Sequence, residues 1–404
     1  MTKKSEAMDI IMLALPRWDG DYSSTAWSLA KEFSRTRRVF YIDNPFTVKE
    51  FLAGFKSRQI QSRTKALLTG KNAYTTINPN LIAVTPRLTV PVNFLPEGSL
   101  YERLSAFNDG ILFRTLKKLL IDYKIKDFIF INSFNPFYAR KWPDFFKPAL
   151  YIYHTVDDIS HSKYIHKHGP RLEAQAIKEA HLTFTTSMEL KRLRSALTSN
   201  IYYLPNAADV SLFRNSLNGD FQMPPELKKI TRPIVAYTGH LDVRLDYDLL
   251  KFIFMAHPDK VFVMIGPSSI EKTLYDELAA FPNVVFTGKK DISELPAYLH
   301  FAHCAIIPFK CNTLTKSIYP LKVNEYLAAG KPVISTPFSD DIMMFKGTIE
   351  IADNYEAFSQ AISSSIKNDS PQKMHDRQCA ADKNTWEARA EIFWSVIDSY
   401  LSKN

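Results

Sequence analysis

Lys322 and Glu325 stand in the first turns of an expected helix. In SIYPLKVNEYLAAGKPVISTP (317–337) the helix opens after Pro320, stops at Gly330, and Pro332 leads into a buried strand. Unpaired backbone N–H groups and the dipole at such a start favour a phosphate, with Lys322 adding a cation. The Glu325 carboxylate lies where it could bridge the two hydroxyls of a ribose. As local structure alone, the same residues make an ordinary helix with a favourable Glu and a glycine cap. YTGHLDVRLDYDLL (237–250) adds Gly239 at a strand end, where the missing Cβ lets a ligand approach the backbone. Arg244 follows, and a guanidinium pairs with phosphate oxygens in a two-pronged geometry. Asp242 and Asp246 flank it and are its alternative partners.

The first half carries a second constellation. In YIYHTVDDIS (151–160), His154 ends a strand and Asp157 and Asp158 lie in the following loop, at the carboxyl edge where α/β sheets place ligands. These residues could touch a transferred group or an attacking hydroxyl, and an inverting displacement would need a general base there. The local alternative is a satisfied strand-end histidine and a helix cap. In PRWDGDYSSTAW (16–27), Gly20 lies between Asp19 and Asp21, and Ser or Thr can cap the next helix. No G-x-G-x-x-G follows a strand and no G-x-x-x-x-G-K-[ST] is present, which argues against dinucleotide-binding and P-loop classes. His161, His166 and His168 lack a Cys or acid at a familiar zinc spacing. Asp157 and Asp158 are adjacent rather than spaced as Asp-x-Asp. No metal site is expected.

These residues need a scaffold. Short apolar runs at 10–15, 38–43, 81–86, 128–133, 149–154, 182–187 and 201–206 alternate with helical patterns at 24–36 and 170–181. After a breaker-rich stretch at 207–232, taken as a linker and entry segment, strands recur at 233–239, 260–266, 283–288, 304–309 and 331–336. Helical patterns lie between them, and 386–403 closes the chain as an amphipathic helix. Strands apolar on both faces and alternating with helices predict parallel sheets in an α/β, doubly wound architecture. Two domains of similar size are expected, with the cleft between them as the ligand site.

Length and composition agree. The chain has 404 residues, 46% hydrophobic and 23% charged, which is ordinary globular usage and excludes disordered and collagen-like classes. Three scattered cysteines, Cys304, Cys311 and Cys379, suit a reducing compartment, so a cytoplasmic protein is expected. No apolar run approaches the roughly 18 residues of a membrane span, and the opening stretch reads as a buried strand rather than a signal peptide. Residues 1–205 hold 30 Lys+Arg and 18 Asp+Glu, a net +12; residues 206–404 hold 21 and 24, a net −3. The basic half is thus expected to face something anionic. Within it, KEFLAGFKSRQIQSRTKALLTGK (49–71) interleaves six basic residues with apolar ones, a pattern suited to an anionic membrane surface. No nucleic-acid motif is found.

PLKVNEYLAAGKPVIST (320–336) resembles the nucleotide-sugar signature of GT-B glycosyltransferases, especially the family-4-type group of bacterial surface-polysaccharide enzymes, with the teichuronic acid glycosyltransferases the most similar subset. The resemblance extends to YTGHLDVRLDYDLLKFI (237–253), MIGP (264–267), NVVFTGKKDISELPAYLHFAHCAIIPF (283–309), NTWEARAEIF (384–393), LPNAADVSLF (204–213), YHTVDDIS (153–160) and the TTS at 185–187. It implies two Rossmann-like domains facing a cleft. Residues 1–206 would bind the acceptor, with the terminal helix 388–404 crossing back to them, and 207–387 would bind the donor. It implies hexosyl transfer from a UDP- or GDP-linked sugar to a polysaccharide or lipid-linked acceptor at the inner face of the plasma membrane, with no cofactor or metal. Gly239, Arg244, Lys322 and Glu325 would hold the donor. The family's Glu-x7-Glu pair is incomplete, because Ser317 replaces its first acid. Ser317, Tyr319 and the backbone near Leu321 are then expected to take over its donor-sugar contacts. His154, Asp157 and Asp158 would lie at the sugar, and Asp19, Gly20 and Asp21 in a loop against donor and acceptor. A nucleotide-sugar 2-epimerase and a non-catalytic nucleotide-sugar-binding protein are the alternatives.

Overall fold

The structure is a computed structural model and describes residues 8–20, 24–161 and 165–403. Two compact units emerge. The first is Met1–Leu204 with Ala390–Asn404, and the second is Pro205–Arg389.

The first unit opens with β1 (Asp9–Ala14), α1 (Thr25–Phe33), β2 (Val39–Ile42), α2 (Val48–Ala53) and α3 (Arg58–Thr69). It continues through β3 (Tyr74–Asn78), β4 (Leu81–Val84), α4 (Ser99–Asp122), β5 (Phe128–Ser133), β6 (Leu150–Thr155), α5 (Gly169–Glu179), β7 (Leu182–Thr185), α6 (Met188–Arg194) and β8 (Ile201–Tyr203). Among the described residues these strands form an eight-stranded sheet ordered β3-β4-β2-β1-β5-β6-β7-β8. β1 is central and pairs in parallel with β2 and β5, Ile11 facing Phe40 on one side and Phe130 on the other. Every residue of β2, β4, β5 and β6 is buried, as helices on both faces require. β3 is the exception: it runs antiparallel to β4 and is half-exposed. Its Thr-rich edge gave no apolar signal in the sequence.

The second unit contains α7 (Val210–Asn218), β9 (Ile234–Thr238), α8 (Tyr247–Ala256), β10 (Val261–Ile265), α9 (Lys272–Ala279), β11 (Val284–Gly288), α10 (Leu295–Phe301) and β12 (Cys304–Ile307). Then come α11 (Thr313–Lys316), α12 (Leu321–Ala328), β13 (Val333–Ser335), α13 (Asp340–Met343), β14 (Glu350–Ile351), α14 (Tyr355–Lys367) and α15 (Pro371–Asp382). The strands form a parallel sheet ordered β11-β10-β9-β12-β13-β14. α16 (Trp386–Lys403) starts in the second unit and continues in the first, where Phe393 stacks on Phe33 at 4.7 Å and packs on Phe184 at 4.6 Å.

Two expectations need correction. Residues 207–232 are not a plain linker, because α7 lies within them. The Asp209 side chain caps it by accepting from Leu212 N at 3.1 Å, and Phe213 is fully buried in the core with Leu227 and Ile234. The Asn218-Gly219 breaker is that helix's stop. The stretch 49–71 is not one free amphipathic face either. It breaks at Gly54 into α2 and α3, and Phe51, Ile60 and Leu67 pack in a core cluster with Phe46. Arg63 is also buried and engaged internally.

Candidate functional site

In the second unit, the carboxyl ends of β9 and β10 meet the start of α12. Gly239 follows β9 at φ +131°, and its N–H donates to Ile265 O at 2.8 Å. Gly266 follows β10 at φ +146°, and a Cβ on it would collide with the backbone of Gly239. Only glycine fits this backbone-on-backbone contact. α12 is tied to the same place by Tyr326, whose hydroxyl oxygen accepts from Thr238 N at 2.7 Å and Thr238 Oγ1 at 3.0 Å. Lys322 consequently reaches over Gly239. A Cβ there would meet Lys322 Nζ at 3.0 Å.

Among the described residues, Lys322 is held by aromatic faces rather than by a carboxylate. Its ammonium lies 4.6 Å from the Tyr237 ring centroid and 4.7 Å from that of Phe309, and it donates to Tyr237 Oη at 3.3 Å. Burial, reinforced by the Arg244 charge, pulls its pKa down to about 7. Three residues on, burial pushes Glu325 up to about 7 against the pull of Lys322. The N-cap of α12 is Pro320, which offers no side-chain hydrogen bond, so the first N–H groups of the helix lack a side-chain acceptor.

Arg244 is part-exposed and forks onto Asp242, with Nε to Oδ1 at 2.8 Å and Nη2 to Oδ2 at 2.6 Å. Burial opposes the Asp242 charge, but these bonds outweigh it and hold the carboxyl low. Asp246 is occupied elsewhere. It caps α8 through Leu249 N and accepts from Tyr355 Oη, each at 3.0 Å. The remaining second-unit candidates divide. Leu321 is the half-buried first residue of α12. Ser317 is buried, with no partner for its Oγ among the described residues. Tyr319 is a core residue whose hydroxyl receives Asn324 Nδ2 at 3.0 Å, which corrects the expectation that it faces a ligand.

In the first unit, the carboxyl ends of β2, β1, β5 and β6 carry a buried polar network. His154 lies in β6 opposite Ser133, with Nδ1 3.1 Å from Ser133 Oγ and Nε2 buried without a partner. Burial holds its pKa down at about 4, so the imidazole is neutral near pH 7. After β5, Phe134 takes φ +58° and donates its N–H to His154 O at 2.8 Å. A bulky residue there is strained, and such strain concentrates at functional sites. The following Asn135 donates through Nδ2 to Ala14 O at 3.3 Å and Asn44 Oδ1 at 3.1 Å, which leaves its Oδ1 buried and unpaired. Asp43, directly after β2, is wholly buried. It accepts from Trp18 N at 3.0 Å and lies 3.4 Å from Arg63 Nη2. Burial pushes it up to about 7 despite Arg63.

Asp19 and Gly20 lie in the loop after β1. Burial raises Asp19, but bonds from Arg63 and Gln59, both at 2.6 Å, hold it low. Asp21 lies outside the described residues. Asp157 is exposed in the loop after β6. Asp158 accepts from Ser160 Oγ at 2.8 Å and Arg194 Nη2 at 3.2 Å, and these outweigh burial to keep it ionised. Arg194 also pairs with buried Glu173, so Asp158 closes a structural network that holds α5 and α6 to the sheet. His168 stacks on Tyr101 at 3.9 Å, and no group of three His, Cys, Asp or Glu among the described residues could hold a metal ion. Sequence reasoning missed Asp43 and Asn135, and carried Arg63 and Gly266 only inside the stretches 49–71 and MIGP (264–267). Its available signal was a polar residue directly after an apolar strand, as in FYID (40–43).

The second unit's geometry now meets its relatives. Residues 232–368 match the Glycosyl transferases group 1 family. That group 1 segment contains Gly239, Arg244, Ser317, Lys322 and Glu325. A putative teichuronic acid biosynthesis glycosyltransferase, TuaH of Bacillus subtilis (strain 168), is 34% identical over 104 residues, which are 26% of this chain and 26% of that protein. The chain thus matches about a quarter of that curated relative's length. Solved structures match over nearly the whole chain. Sucrose-phosphate synthase from Thermosynechococcus elongatus has a TM-score of 0.67 at 14% identity, covering 98% of this chain and 100% of its own. The trehalose-6-phosphate structure from E. coli bound with UDP-2-fluoro glucose has a TM-score of 0.69 at 10% identity, covering 96% and 99%. At such low identities the structural likeness shows the fold alone, which is GT-B: two Rossmann-like units, each on a largely parallel sheet.

Proposed function

We propose that this chain is a glycosyltransferase that moves a hexosyl group from a UDP- or GDP-linked sugar to a saccharide acceptor, polysaccharide or lipid-linked. The observation that carries the reading is Lys322, an ammonium without a carboxylate contact among the described residues, held by two aromatic faces over Gly239 at the start of α12. A diphosphate placed there would meet Lys322, the first N–H groups of α12, and Arg244 once its fork turns from Asp242. Glu325 would receive the ribose hydroxyls. As the bond from the sugar's C1 to the diphosphate breaks, negative charge grows on the leaving group, and these fixed positive groups stabilise it. In this reading they need no divalent ion, so a chelator should leave turnover unchanged.

The first unit would present the acceptor. Among the described residues, Asn135 Oδ1 and His154 Nε2 are buried polar atoms without hydrogen-bond partners along one strand edge, and sugar hydroxyls are groups that pair with such atoms. His154, with a pKa near 4, is a weak base at neutral pH, and Asp158 is ion-paired. Both are better suited to bind than to accept a proton, which favours a transfer that retains the anomeric configuration. The relative named for teichuronic acid biosynthesis supports a cell-envelope acceptor, and a lipid-linked one would place the enzyme at the inner face of the plasma membrane. The test is incubation with a panel of nucleotide sugars and a polyprenyl-diphosphate-linked sugar, with the product anomer read by NMR. Transfer with retention is expected. Isomerised donor, or binding without transfer, would refute the reading. Arg244→Ala and Lys322→Ala should each reduce kcat/KM for the donor by roughly a hundredfold, since each removes a charge-assisted contact to the diphosphate. Normal turnover in both would sink the assignment.

A further inference from the structure

The loop after β1 sets an aromatic ring beside the polar network of the first unit. Trp18, on that loop, is part-exposed, and its place is fixed from behind. Its ring centroid lies 6.0 Å from that of Trp27, which packs edge-on at 5.0 Å against Tyr41 of β2. Arg63, itself buried, holds its guanidinium over the Trp18 ring at 5.3 Å. Trp18 N donates to Asp43 Oδ1 at 3.0 Å, and Tyr41 Oη donates to Pro16 O at 2.7 Å. Asn44, directly after Asp43, joins this loop to the segment after β5. Its Oδ1 accepts from Asn135 Nδ2 at 3.1 Å, and its backbone O accepts from Arg17 Nε at 3.0 Å. Phe134 N in turn donates to His154 O at 2.8 Å. These bonds gather Trp18, Asn135 and His154 at the carboxyl ends of the adjacent strands β1, β5 and β6.

Three polar atoms here are buried and have no hydrogen-bond partner among the described residues: Trp18 Nε1, Asn135 Oδ1 and His154 Nε2. The first can only donate and the second only accept, while a neutral imidazole nitrogen does one or the other. A hydroxyl does both, so a ligand with several hydroxyls answers the whole set. An indole also offers a flat apolar face, and the axial C–H groups of a pyranose form its counterpart. Charge narrows the class. None of the three side chains is charged near pH 7, since burial keeps His154 neutral. The cations of the surrounding loops and helices are engaged: Arg17 with Glu50 at 2.9 Å, Arg63 with Asp19 at 2.6 Å and Asp43 at 3.4 Å, and Arg194 with Glu173 at 2.9 Å. A carboxylate or phosphate brought there would lose its water and find these cations already paired. We propose that the acceptor ends in an uncharged pyranose, stacked on Trp18 with its hydroxyls paired to Asn135 and His154. The inference rests on the glycosyltransferase reading and adds the class of acceptor sugar, with Trp18 as the residue that determines it. The bulk positive charge of the first half then plays no part in reading that sugar.

The experiment is titration of the full chain, followed by saturation-transfer NMR, with methyl β-glucoside, methyl β-N-acetylglucosaminide and methyl β-glucuronide. Saturation is expected to reach the axial ring protons of a neutral glycoside most strongly, as a stack on an indole requires. A neutral glycoside should bind at least about tenfold more tightly than the glucuronide, whose carboxylate would be desolvated without a partner. Trp18→Ala should weaken the neutral glycoside by about tenfold, and Trp18→Phe, which keeps a flat face and loses the N–H, by less. Circular dichroism checks folding, and the wild-type panel with Trp18→Phe decides the matter if Trp18→Ala fails to fold. Equal or tighter binding of the glucuronide, no binding by either neutral glycoside, unchanged binding in Trp18→Ala, or saturation confined to the methyl aglycone overturns the proposal. UDP binding measured on the wild-type chain stands apart: its absence, with the sugar pattern intact, would refute the glycosyltransferase reading and leave the pyranose site standing.

Discussion

At the scale of single residues, Lys322 is the side chain whose charge is most open to change. Its ordinary pKa of 10.5 falls to about 7 because loss of solvent around it and the nearby Arg244 charge both disfavour the ammonium. Below pH 7 it is therefore charged in the free protein, and above pH 7 it is neutral. A bound diphosphate favours the charged form, so binding above pH 7 must take up a proton. Glu325 and Asp242 face it with the opposite charge, and Glu325, pushed up to about 7 by burial, ionises over the same range and adds repulsion to the ligand. UDP affinity should thus fall by up to about tenfold per pH unit above 7 until the pKa of the complex is reached. Lys322→Arg, charged throughout, should flatten the Lys322 contribution, and Lys322→Ala should be weak at all pH values. Calorimetry at several pH values, in buffers of different ionisation enthalpy, reads both affinity and proton uptake. Flat wild-type affinity from pH 6 to 9 would contradict the argument. That Lys322 and Glu325 open α12 and that Arg244 follows β9 was legible in the sequence, because helix starts and glycine-ended strands have local signatures. The fate of Tyr319 was not, since its hydroxyl is spent on Asn324 and only packing decides which way a tyrosine turns.

At the scale of elements, α3 shows what binds a surface helix to the sheet. Its anchor is Arg63, which reaches Asp19 at 2.6 Å and Asp43 at 3.4 Å and sits 5.3 Å from the Trp18 ring centroid. Removing one partner of a buried ion pair leaves the other charge stranded, at a cost of about 3 kcal/mol or more. Arg63→Met should therefore destabilise the first unit by about that amount at pH 8, measured by urea unfolding. The sign with pH follows from Asp43. Its folded pKa is already raised to about 7 and would rise further without Arg63, so the loss should shrink as pH falls and the carboxyl protonates. An equal loss at pH 5 and pH 8 would exclude Asp43 as its source. This anchor also explains what the amphipathic reading of 49–71 lacked. Periodicity showed basic and apolar faces, but it could not tell that Arg63 points inward to Asp43, the acid directly after β2. The strands were read well because a parallel sheet covered on both faces leaves unbroken apolar runs. β3 and α7 were not, the one for its polar edge and the other because the breaker that ends a helix was taken for a linker.

At the scale of the whole molecule, the charge and the cores divide the same way. The first half is strongly basic and the second slightly acidic, and the second unit has one extensive core of its own, from Val210 to Ala381. The chain passes between the units at Leu204–Pro205 and again at Arg389–Ala390. Separate cores argue for separate unfolding. If the second unit alone holds the nucleotide, UDP should stabilise that unit and leave the other untouched. At about 100 times its Kd the gain is about 2.7 kcal/mol, which moves the midpoint of a unit this size by roughly 5 to 10 °C at a scale of about 2–4 °C per kcal/mol. Scanning calorimetry should then show two transitions, one displaced by UDP and one not. Lys322→Ala should abolish the displacement, and Arg63→Met should lower only the transition that UDP leaves in place. Movement of both transitions together in every case would mean that the units unfold as one, and the division of labour between a cationic acceptor half and a nucleotide-holding half would lose its thermodynamic support.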